Sequence, residues 1–127
     1  MFSHIMIGAN DLDASRKFYD ATLGELGLPP GRGDGAGHVI YRAGDNVFAL
    51  TKPLDGRPAS FANGGTIGFL ARRAADVDAW HKAGVAAGGA ACEDPPGIRR
   101  LSGHSLYLAY LRDPVGNKLC AYFHVPN

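Results

Sequence analysis

The stretch "SHIMIGANDLDASRKFYDATLG", residues 3–24, carries two periodicities in succession. Ile5 and Ile7 alternate with other residues and the run stops at Gly8, which predicts a strand over residues 2–8. Asn10 or Asp11 can then cap a helix that sets Leu12, Phe18, Tyr19 and Leu23 near one face and ends at Gly24. A single histidine, His4, stands at the head of the strand. Whether it holds a metal decides much of what the chain can do.

Outward from this unit, "GLPPGRGDGAG" at 27–37 is dense in Gly and Pro and reads as a flexible surface loop. Two short strands follow near 38–43 and 46–51, joined through "AGDN". The second half repeats the order. "GTIGFLAR" at 65–72 reads as a strand, and "AADVDAWHKAGVAAG" at 74–88 as a helix with Val77, Trp80 and Val85 toward the core. Residues 99–125 read as a long hairpin turning at "DPVGN", where Asp, Pro and Gly each suit a tight turn. "DLDAS" at 11–15 matches "DVDAW" at 76–80. A βαβββ unit used twice, over about 1–60 and 61–127, explains the repetition within one domain of 127 residues.

Composition excludes several function classes. Thirteen Lys and Arg against twelve Asp and Glu leave a formal charge of +1, so no basic field invites nucleic acid or an anionic membrane surface. No apolar run approaches the ~20 residues a membrane helix needs. The opening "MFSHIMIG" has no basic region or small-residue cleavage site of a signal peptide, and the expectation is a cytoplasmic protein. Cys92 and Cys120 are too few and too far apart for a disulfide framework or a CxxC zinc site.

Two stretches, "HIMIGANDLDASRKFY" at 4–19 and "LRDPVGNKLCAYF" at 111–123, in this order around an internal repeat, resemble the vicinal oxygen chelate superfamily of glyoxalase I, bleomycin and fosfomycin resistance proteins and extradiol dioxygenases. The resemblance covers essentially the whole chain. It implies an α+β fold in which tandem βαβββ modules form a curved mixed sheet, helices cover the convex face, and the concave face holds metal and substrate. It also implies a homodimer.

The same resemblance places four ligand positions on inner strands, usually His or Gln, Glu, His and Glu. They fall here on His4, Ala49, Thr66 and Cys120. One of the four keeps its usual type. One imidazole, one hydroxyl and one thiol are a poor set for a divalent ion unless His38, His104 or His124 adds a donor, so no metal ligand and no cofactor are assigned. Two further positions at which glyoxalase I enzymes hold glutathione fall on Gly8 and Pro53, which carry no polar side chain.

Strand alternation sets Met6 and Gly8 beside His4, Gly68 beside Thr66, and Lys118, Tyr122 and His124 beside Cys120, with Leu119, Ala121 and Phe123 opposite. The expected substrate-binding residues are therefore His4, Met6, Ala49, Thr66, Cys120 and Tyr122. Arg99 joins them from the "EDPPGIRRLSGHS" segment at 93–105, read as a loop able to meet an anionic ligand. His4 reads either as a hydrogen-bonded strand residue or as a general acid or base, and Cys120 either as a small apolar residue or as a reactive thiol. His104 between Ser102 and Ser105 lacks the nucleophile elbow and third member of a hydrolase triad. "GRGDGAG" lacks the Lys-Ser/Thr ending of a phosphate loop. Two functions follow: a protein that binds a small molecule in a concave cavity without the usual metal, or a glyoxalase-type lyase or dioxygenase acting on a small carbonyl or aromatic compound through His4.

Overall fold

In the computed structural model, which describes residues 1–126, Asp11 accepts a hydrogen bond from the Ala14 backbone N–H at 3.1 Å and so caps the first helix. The first unit runs β1 (His4–Gly8), α1 (Leu12–Glu25), β2 (Arg32–Gly33), β3 (His38–Ala43) and β4 (Asn46–Thr51). The second runs β5 (Ile67–Leu70), α2 (Ala74–Ala86), β6 (Ala90–Leu101), β7 (His104–Arg112) and β8 (Lys118–Val125). Each unit is βαβββ. Their sheets have the orders β1-β4-β3-β2 and β5-β8-β7-β6, in which β1 pairs parallel with β4 and β5 parallel with β8. The architecture is α+β, as the resemblance implies, and no hydrogen-bonded ladder joins the two sheets among the described residues.

Side chains divide between faces by strand parity. Ile5, Ile7, Phe48 and Leu50 of the first sheet and Phe69, Leu111, Leu119 and Ala121 of the second enter one core with the helices. From α1 come Phe18, Tyr19 and Leu23, and from α2 Val77 and Trp80, all fully buried. The helices pack on each other where α2 has Gly84, since a Cβ there would lie 2.3 Å from Leu111 and 3.1 Å from Thr22 of α1. Val85, expected in the core, is instead 49% exposed, because Trp80 and Gly84 take the face that meets α1 and β7.

Two segments are more ordered than their composition suggests. Within the stretch expected to be a flexible loop, Gly31 donates its N–H to Asp20 Oδ1 at 2.9 Å and accepts from Arg16 at 2.6 Å, and Arg32 and Gly33 pair with β3. A Cβ on Gly31 would stand 2.6 Å from both Tyr41 and Val39, so glycine alone fits between α1 and β3. The segment around Arg99 is not a loop either. It is the edge strand β6, whose ladder to β7 breaks between Cys92 and Gly97 and leaves Pro95 and Pro96 in a bulge.

Asp113 ties the two units together. It is 5% exposed, and its Oδ1 accepts the backbone N–H groups of Val115, Gly116 and Asn117, which closes the β7–β8 turn. Its Oδ2 accepts from the Asn117 side chain at 2.9 Å and from the Tyr19 hydroxyl of α1 at 2.6 Å. Burial, with the facing carboxylate, raises the Tyr19 pKa well above the usual phenol value, so this hydroxyl remains a donor. The linker between the units is also anchored at its middle to both of them. Ala59 donates its N–H to Asn10 Oδ1 at 2.6 Å, and the Phe61 ring lies against Gly116 and 5.3 Å from the Arg112 guanidinium.

These contacts separate two substitutions. Asp113→Ala strands several donors, one of them a buried hydroxyl, and is expected to lower unfolding free energy by about 3–5 kcal/mol. Tyr19→Phe leaves the carboxylate its other donors and is expected to cost about 1–2 kcal/mol. Urea denaturation of both variants measures the difference, and no loss of stability in Tyr19→Phe would refute the link between α1 and the turn.

Candidate functional site

Where β1 of the first sheet approaches β5 of the second, the chain leaves a cavity of about 470 Å³. Ile5, Tyr41 and Phe48 line it from one unit and Ile67, Gly68 and Phe69 from the other, with His4 at the same seam. The Phe48 and Phe69 rings that line it meet edge to face, 5.3 Å between centroids. The lining is apolar with a few polar groups, and the volume lies within the ~300–1,000 Å³ of small-molecule sites. His4 is exposed, with its Nδ1 2.8 Å from Ser3 Oγ. Gly68 contributes its backbone to the lining, and nothing lies within 4 Å of a Cβ built there on the opposite, helix-free face.

The structure distributes the other expected site residues differently. Met6 is 43% exposed and Ala49, its register partner, is buried, both on the face of the first sheet without helices. Thr66 immediately precedes β5 and is exposed. Cys120 and Tyr122 stand beside Gly68 and Leu70 on the corresponding face of the second sheet. Of the seven residues, His4 lines the cavity and the other six do not.

The four positions offer one imidazole, no donor at Ala49, a neutral hydroxyl and one thiol. Burial, reinforced by the charge of Glu93, pushes the Cys120 thiol up to about 11, against the weaker opposite pull of Arg99 and Lys118. Among the described residues no three His, Cys, Asp or Glu side chains gather as a metal-binding group. This donor set does not fit the centre of carboxylates and imidazoles that the superfamily implies. Gly8 and Pro53 have a packing reason for lacking polar side chains. A Cβ on Gly8 would lie 2.8 Å from Ala59 Cβ and 3.8 Å from Pro53, so the linker occupies the space a longer side chain would take.

Beside Cys120 the fold assembles charges that the reading of separate strands missed. Glu93 sits in the β6 bulge with φ 58°, unusual for a residue with a side chain, and its carboxylate pairs with Lys118 of β8. The Lys118 ammonium lies 4.8 Å from the Tyr110 ring centre. Arg99 turns back to donate to the Asp94 and Pro95 carbonyls and so holds the bulge. Paired prolines inside an otherwise extended run are the sequence signal for such a bulge. Nothing in the sequence distinguishes Ile5, Phe48, Ile67 and Phe69 as cavity walls from other apolar strand residues.

A family model described as "Glyoxalase/Bleomycin resistance protein/Dioxygenase superfamily" matches residues 1–121. The chain belongs to this superfamily. A glyoxalase/bleomycin resistance protein from Albidiferax ferrireducens T118 is 51% identical, with 97% of this chain and 98% of that one covered and a TM-score of 0.94. A glyoxalase-related enzyme from Fulvimarina pelagi shares the fold at 20% identity, 97% and 87% coverage and a TM-score of 0.74. A lactoylglutathione lyase from Agrobacterium tumefaciens shares it at 24% identity, 97% and 92% coverage and a TM-score of 0.66. A comparison with curated proteins yields no match.

The raised thiol makes a prediction. Native protein treated with iodoacetamide at pH 8 leaves Cys120 unmodified, and its alkylation accelerates as pH rises toward 11 or when the chain is unfolded in urea. Peptide mass spectrometry reads the site, and rapid native alkylation of Cys120 at pH 8 would contradict the burial argument.

Proposed function

We propose that this protein binds a small, largely apolar molecule at the seam between its two units and does so without a metal ion. The apolar cavity with His4 at its rim is the observation that carries the reading. Ile5, Phe48, Ile67 and Phe69 supply contact area for an aromatic or aliphatic group. His4 supplies a hydrogen bond to a carbonyl or hydroxyl on the ligand, its other ring nitrogen being engaged with Ser3. The donor set of His4, Thr66 and Cys120 favours this reading over lyase or dioxygenase chemistry, in which a metal ion stabilises the reacting oxygen.

A thermal-shift series with indole, para-cresol and 2-naphthol tests it. A probe at a hundredfold its Kd stabilises the fold by about 2.7 kcal/mol. The shift is expected to vanish in Ile67→Trp, which fills the cavity from one of its walls, and to weaken in His4→Ala. No shift with any probe, or metal-dependent turnover of a hemithioacetal or catechol abolished by His4→Ala, would overturn the proposal in favour of the enzyme.

The same seam supports a homodimer. Among the described residues β1 is hydrogen-bonded only to β4 and β5 only to β8, so each sheet ends in an unpaired edge at the seam. Phe2 at 71%, Met6 at 43% and Leu70 at 69% exposure line these edges, and a second copy would cover them. Light scattering after size-exclusion chromatography is expected to give twice the 13.4 kDa chain mass, with Leu70→Lys shifting the protein toward monomer. A monomeric wild type at tens of micromolar would exclude the dimer.

A further inference from the structure

At the end of the second sheet farthest from the β7–β8 turn, two imidazoles come together that play no part in the cavity. His104 opens β7 and His124 lies near the end of β8. The register pairs Leu106 with His124, so His104, two residues before Leu106, shares its face and sits diagonally across from His124. The two rings are nearly parallel, at 13°, with centroids 6.0 Å apart.

We propose that His104 and His124 together bind a divalent d-block ion, with water completing its coordination. The first support is spacing. With metal–nitrogen bonds of about 2.1 Å each ring centre stands roughly 3 Å from a shared ion, so two rings on one ion lie roughly 5–6 Å apart. The observed 6.0 Å is at the edge of that range. His124 is exposed, so it can turn a lone pair toward the ion while His104 keeps its orientation, and that rotation meets no core packing.

The second support is the hydrogen bond that prepares one ligand. His104 Nδ1 is 3.1 Å from the Ser102 carbonyl oxygen, which can only accept, so Nδ1 carries the proton and Nε2 presents its lone pair to solvent. Metal-bound histidines are commonly oriented this way, with the second ring nitrogen donating to a backbone carbonyl. The turn between β6 and β7 provides it: Gly103, at φ 80°, brings the Ser102 carbonyl back over the ring that follows. Arg99, on the same face, is turned back along β6 to the carbonyls of Asp94 and Pro95.

The ligand type sets the ion class. Neutral imidazoles favour Cu²⁺, then Ni²⁺ and Zn²⁺, over Mg²⁺ and Ca²⁺, which require oxygen donors. Two ligands leave open positions. The site therefore differs from the superfamily's ligand positions in both residues and location.

Calorimetric titration of tag-free, chelator-treated full-length protein with CuCl2, NiCl2, ZnCl2 and CaCl2 tests the proposal, with electron paramagnetic resonance of the Cu²⁺ form to detect nitrogen ligands. The expected result is one equivalent of Cu²⁺ per chain with two imidazole nitrogens, weaker Ni²⁺ and Zn²⁺, and no Ca²⁺. His104→Ala and His124→Ala each lower Cu²⁺ affinity at least about tenfold, since even an outer-shell change costs a site that much. His38→Ala and His81→Ala leave it unchanged. Circular dichroism melts check that the exposed substitutions keep the fold. No binding, equal binding by the His104→Ala/His124→Ala double variant, or loss only in His4→Ala or His38→Ala would overturn the assignment.

Discussion

The carboxylate of Asp113 is the constraint on which the rest of the structure depends. It closes the β7–β8 turn through three backbone N–H groups and the Asn117 side chain, and it receives the Tyr19 hydroxyl from the other unit. A buried carboxylate is costly unless its lone pairs are met, and here every partner comes from the turn or from α1. The register of the β7–β8 hairpin and the position of α1 are thereby coupled. That register sets Cys120 opposite Tyr110 and His124 diagonally across from His104.

Small residues determine where the molecule stays open. Gly84 lets α2 close on α1 and β7, and Gly31 lets α1 close on β3. Gly68 does the reverse, because no neighbour fills the space a side chain would take. At Gly8 the linker itself fills that space through Ala59. The two positions at which glutathione handles would sit have thus become one packing contact.

How far the site was legible follows from how local each signal was. The strand at His38–Ala43, the strand at Asn46–Thr51 and the cap at Asp11 rest on neighbouring residues and match the sequence reading. The parity that sets Leu119 and Ala121 against Cys120 and Tyr122 was equally plain, because a strand has period two. The edge strand β6 was hidden by its prolines, which an unpaired edge tolerates and an interior strand does not. Gly31 looked like part of a loose loop because its partners Asp20 and Tyr41 are distant in sequence or strand order.

The amino-acid sequence by itself determined the repeated βαβββ order, the membership of the superfamily and the absence of carboxylates at Ala49 and Cys120, since each of these is written in residue type and spacing. Only the tertiary structure decided that the cavity lies at the seam between β1 and β5, that Glu93 reaches Lys118 beside Cys120, and that His104 meets His124. The reason is physical. Periodicity specifies which face of an element a side chain takes, whereas the distance between faces on different elements is set by the packing of α1 on α2 and by the hydrogen bonds of one buried aspartate.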